Sequence, residues 1–180
     1  MMELIIVIVI AGILAAVMMP RLERDNLREA TNQVVRHIQY TQHLAMVNDV
    51  YDAADVNGGG APLWQHNRWS IDLCATGYAI ERIDGSETAI DPLTKRDIDG
   101  TDNDISSSGV SALTFSGTGT DCRISFDNMG RPYRMATAAL PATPTNGLVT
   151  SDFTITLTAS GRTSVITVRR ETGYVSSVVN

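Results

Sequence analysis

The chain has 180 residues, 43% of them apolar, and a net charge of −6. That length leaves room for a single globular domain of roughly 130 residues beyond an N-terminal rod. With Lys95 the only lysine, no broad basic surface is available to neutralise phosphates, which argues against nucleic-acid binding as the main role.

The first predicted element is an apolar run, Leu4 to Met19, headed by the lone carboxylate of Glu3 and closed by Pro20. An ionised carboxylate is expelled from hydrocarbon or protein interior unless a cation or a proton neutralises it, so Glu3 is a functional candidate. A signal peptide would carry basic residues before its apolar stretch and a small-residue cleavage site after it, and neither is present. The run passes into Arg21-Leu-Glu-Arg-Asp-Asn-Leu-Arg-Glu-Ala at helical spacing, which predicts one long rod. Arg21, Arg24, Arg28 and Arg36 interleave with Glu23, Asp25 and Glu29, so this stretch is expected to be solvated or to face a neighbouring subunit.

The segment Met2-Glu3-Leu-Ile-Ile-Val-Ile-Val-Ile-Ala-Gly12, continuing to Pro20, closely resembles the N-terminus of mature type IV pilins and type II secretion pseudopilins. Glu3, Gly12 and Pro20 fall at the spacings of that family. Its N-methylated Phe, exposed by prepilin peptidase, precedes the Glu by four residues. Glu3 is third rather than fifth, so the processed chain is expected to begin two residues upstream of Met1. Phe126-Asp-Asn-Met-Gly130-Arg-Pro132 and the late Gly173-Tyr-Val resemble, more loosely, the globular part of H-type minor pseudopilins. The resemblance implies a pilin-like fold and a subunit held in the bacterial inner membrane, then passed by its assembly machinery into an extracellular or periplasmic filament. In that filament Glu3 would pair with a neighbour's N-terminal ammonium.

From Arg21 to about Val50 the pattern predicts an amphipathic helix. Leu27, Ala30, Val34, Ile38, Thr41 and Ala45 share one face, widened by Val35, Leu44 and Val47. Pro20 cannot donate to the carbonyl of Ala16 and Gly12 adds backbone freedom, so the stretch between them is expected to lose helical hydrogen bonding in a filament. Gly58 to Gly60 predict a loop. Strands are expected at Arg68 to Leu73, Tyr78 to Ile83, Ala112 to Phe115, Arg123 to Phe126, Phe153 to Leu157, Ser164 to Arg169 and Tyr174 to Val178. Ala136 to Thr150 reads as an exposed connection. The expected fold class is α+β: a long N-terminal α-helix, half apolar and half amphipathic, packed on an antiparallel β-sheet. The expected domains are 1–20 (apolar helix), 21–50 (amphipathic helix) and 51–180 (globular β domain).

Cys74 and Cys122 both flank predicted strands. In an oxidising compartment they would bridge neighbours and contribute about 2–4 kcal/mol; two unpaired buried thiols are the alternative. No catalytic signature is present, so no enzyme activity and no cofactor are expected. His37, His43 and His66 lack a metal-ligand spacing, and Gly117-Thr-Gly119 lacks the setting of a nucleotide fingerprint. Asp97, Asp99, Asp102 and Asp104, around Gly100 with Asp91 upstream, gather oxygen ligands in a loop and form a candidate calcium site that is not an EF-hand. The function expected is that of a structural subunit in a helical homopolymer. The alternatives are a minor pseudopilin of a type II secretion system and a membrane-anchored binding module that never polymerises.

Overall fold

The computed structural model describes residues 2–48, 64–101, 105–116, 121–136, 141 and 146–180, with side chains at all of these but 2 and 17–25. Helical residues span Met2–Val47 (α1). Described with their side chains, they form two helices, 3–16 and 26–47, the first only 14 residues long. The strands are β1 (Trp69–Asp72), β2 (Ala79–Arg82), β3 (Val110–Phe115), β4 (Arg123–Phe126), β5 (Pro132–Met135), β6 (Phe153–Ala159), β7 (Arg162–Val168) and β8 (Val175–Val179). They build two four-stranded sheets, ordered β2-β1-β4-β5 and β3-β6-β7-β8, with every pairing antiparallel.

The expected fold class is therefore corrected on two counts. There is no long N-terminal helix packed along its length: 3–16 is apolar all round, has no polar back to distinguish from a packing stripe, and is exposed at every residue. Nor is there one sheet. Alternation shows which residues of a strand face a core but says nothing about which strand lies beside it, and the chain leaves the first sheet after β2, forms β3 in the second, then returns for β4 and β5.

The 26–47 helix packs because its stripe is continuous. Leu27, Ala30, Val34, Ile38, Thr41 and Ala45 are all buried, facing β1 and β4 of one sheet and β6 to β8 of the other. Val47, expected to widen the stripe, is exposed. Thr31 and Thr41 are tolerated on the buried face because each hydroxyl donates to a carbonyl one turn back, Leu27 O at 2.7 Å and His37 O at 2.8 Å. In the second sheet β6 alternates buried and half-buried along its length, and Ser160 and Gly161 (φ 47° and 78°) make a two-residue hairpin into β7.

β5 is the strand the pattern did not predict. Pro132 opens it, and a proline is admitted at a first position on an outer strand, where no ladder N–H is needed. The connection expected to be exposed over 136–150 is partly built into the fold: Arg134 N–H donates to Gly147 O, Val149 N–H donates to Pro132 O, and Pro141 is buried.

Candidate functional site

The apolar segment and its flanking positions come first. Leu4, Ile5, Ile6, Val7, Ile8, Val9, Ile10, Ile13 and Leu14 are each 53–65% exposed, so the aliphatic surface lies on all sides of the helix. Glu3 stands exposed in the first helical turn, where a carboxylate complements the positive end of the helix dipole. A side chain added at Gly12 would meet nothing within 4 Å, so no contact among the described residues requires this glycine. Pro20 falls among 17–25, whose side chains lie outside the described residues. Among the described residues no helix is long and apolar enough to cross a membrane.

Cys74 and Cys122 form a disulfide with Cα atoms 5.0 Å apart, joining the exit of β1 to the entrance of its neighbour β4. Beside it the buried Arg123 guanidinium contacts Glu81 Oε1 at 3.0 Å and Asp72 Oδ2 at 3.5 Å and donates to Ile83 O, tying β4 across β1 to β2. Asp72 also lies near both sulfurs, but these are bonded to each other and cannot ligate a metal as thiolates.

The candidate calcium residues are only partly described. Asp97 and Asp99 are exposed and sit in bridges opposite Ile90 and Ala79, with Ile98 buried between them. Asp99 Oδ1 accepts the Thr101 N–H at 2.9 Å, and this bond holds its carboxyl below the usual range. Asp102 and Asp104 lie outside the described residues. Asp91 is occupied in its own turn, accepting from Leu93 N–H and Thr94 Oγ1; burial raises its carboxyl, but these bonds and nearby His37 outweigh it, and the net shift is downward. Among the described residues, neither Asp97 nor Asp99 joins a converging group of three metal-ligating side chains.

The sequence reading missed a cleft of about 420 Å³ between the 26–47 helix and the 91–94 turn, lined by Gln33, Arg36, His37, Tyr40, Asp91 and Leu93. The buried Tyr78 hydroxyl shares a hydrogen bond with His37 Nδ1 at 2.6 Å. Burial pushes the Tyr78 phenol up and His37 down, so both are neutral near pH 7; Asp91 pulls His37 back partway and Arg36 adds to the lowering. Tyr40 Oη donates to Ile90 O at 2.8 Å and pins the turn to the helix. The available signal was His37 falling beside the Val34 and Ile38 stripe, at the border of the buried face.

These features give a segment, 3–16, with aliphatic surface on all sides and a disulfide-bonded globular part, with no converging nucleophile, base and oxyanion donors among the described residues. No protein-family model, curated protein or solved structure matches the chain.

Proposed function

We propose that the chain is a structural subunit that polymerises with its own copies through the apolar 3–16 segment, in the manner of the type IV pilins and pseudopilins its N-terminus resembles. The observation that carries this reading is the nine large aliphatic side chains exposed on all sides of 3–16. Such a surface does not persist in water, and each of these side chains contributes about 1.5–3 kcal/mol when fully buried. A bundle of like helices covers every side at once, whereas the chain's own sheets could cover only one. Before assembly the same segment would be held in the inner membrane.

Glu3 supplies the register. Once 3–16 is bundled its carboxylate is desolvated, and an uncompensated buried charge costs about 3–5 kcal/mol. Only the axial step that brings a neighbour's cation to Glu3, the N-terminal ammonium by the resemblance, avoids that cost. Electron microscopy of material sheared from producing cells tests the reading. Fibres are expected from the unaltered chain and none from Glu3→Ala, with the altered subunit still accumulating. Absence of fibres from the unaltered chain under producing conditions counts against a polymer, and fibres that survive Glu3→Ala remove the register role.

A further inference from the structure

Among the described residues, three of the four outer sheet edges are covered or interrupted. β2 is flanked by 87–99, with Ile80 N–H donating to Ile98 O and Arg82 N–H to Glu87 O. β5 is flanked by 147–149, and β3 carries a bulge between Val110 and Ala112. β8 is different. Arg169 N–H donates to Tyr174 O and Asn180 N–H to Thr163 O, so with the observed register the backbone groups of Tyr174, Ser176, Val178 and Asn180 face β7. Antiparallel alternation then turns the N–H and C=O of Val175, Ser177 and Val179 outward. Val175 is buried, but Ser177 is exposed and Val178 is 62% exposed. No charge, proline or bulge interrupts 175–180, although these are the usual devices that keep an outer strand from pairing.

We propose that β8 pairs antiparallel with β8 of a second copy across a two-fold axis, Ser177 opposite Val179 and Val178 opposite itself. This register uses only the accessible part of the edge and forms about four new backbone hydrogen bonds. It also places the two exposed Val178 side chains in a non-hydrogen-bonded pair, where side chains approach most closely. A second copy is the occupant because the edge is self-matching, each outward pair of backbone groups on Ser177 meeting the outward pair on Val179 of the other copy, and because 175–180 carry no charged side chain to repel its like in a chain of net charge −6. The contact closes on two copies and leaves 3–16 free for open-ended association, so it does not rest on the polymer reading.

Cysteine crosslinking of the full chain in detergent tests it. Val178→Cys is expected to give a disulfide-linked dimer under mild oxidation, while Leu93→Cys, at a site 80% exposed, gives only background. Adding Ser177→Pro or Val179→Pro to Val178→Cys removes one outward N–H without touching the bonds to β7, and is expected to abolish the dimer with the melting transition retained. Dimer no greater than that of Leu93→Cys, or dimer that persists in both proline variants, overturns the proposal. Repeating Val178→Cys with Glu3→Ala separates the two readings: the crosslink is expected to survive where fibres are lost.

Discussion

At the scale of single residues, Arg134 shows how a charged side chain can hold two sheets together through backbone carbonyls and ring faces. It leaves β5 in the first sheet, donates from Nη1 to Ser116 O at 2.8 Å and from Nε and Nη2 to Asp121 O, and lies over the rings of Phe115 and Phe153 from the second sheet. Lysine has neither the planar fork nor the stacking face. Arg134→Lys is therefore expected to lose most of what Arg134→Ala loses, about 2–3 kcal/mol in denaturant unfolding, given hydrogen bonds from a charged donor. His37 makes a prediction of opposite character. Its folded pKa lies below the ordinary 6.5, so protonation favours the unfolded chain: stability is full above that value and falls as the pH drops below it. Melting temperature should decline on acidification below about pH 6.5, and His37→Gln should flatten that part of the profile. An unchanged slope in the variant would assign the decline to other groups.

At the scale of elements, the 26–47 helix was legible because a single face had to be apolar at 3.6-residue steps, and every residue placed on the Leu27 to Ala45 stripe is buried. Ile38→Ala, inside the stripe, should cost about 2–5 kcal/mol. Val47→Ala, exposed past its end, should stay within about 0.5 kcal/mol by the same unfolding measurement. The strands were legible one at a time, from alternation and from turns such as Ser160-Gly161, but not as two sheets, because the partner of a strand is chosen by tertiary packing. β5 was hidden by Pro132, a residue that normally argues against a strand and is harmless only where this one sits. The candidate site divides in the same way. Glu3 and Gly12 were visible as a motif, yet among the described residues Gly12 meets no neighbour and Glu3 is exposed. The cleft beside His37 needed residues 33–40 and 91–94 brought together across the fold, which no local pattern encodes.

At the scale of the whole molecule, the chain combines an apolar segment exposed on all sides with a globular part that is stapled by its own covalent link. The Cys74–Cys122 bond closes a loop of sequence separation 48, and the strands it joins, β1 and β4, are the central pair of the first sheet. Its loss therefore frees a long segment of the unfolded chain and also loosens the sheet on which the 26–47 helix packs. A loop of this length corresponds to a contribution of about 2–4 kcal/mol. At about 2–4 °C per kcal/mol for a chain of this size, the Cys74→Ser, Cys122→Ser double variant should melt roughly 5–15 °C lower. The same shift should follow reduction of the unaltered chain and be absent when the double variant is reduced. If polymerisation runs through 3–16, the double variant should still form fibres well below its lowered melting point, with globular parts more open to proteolysis. Equal melting temperatures for oxidised and reduced chains would show that the sheet is held by the Arg123, Asp72 and Glu81 cluster and its packing rather than by the covalent link.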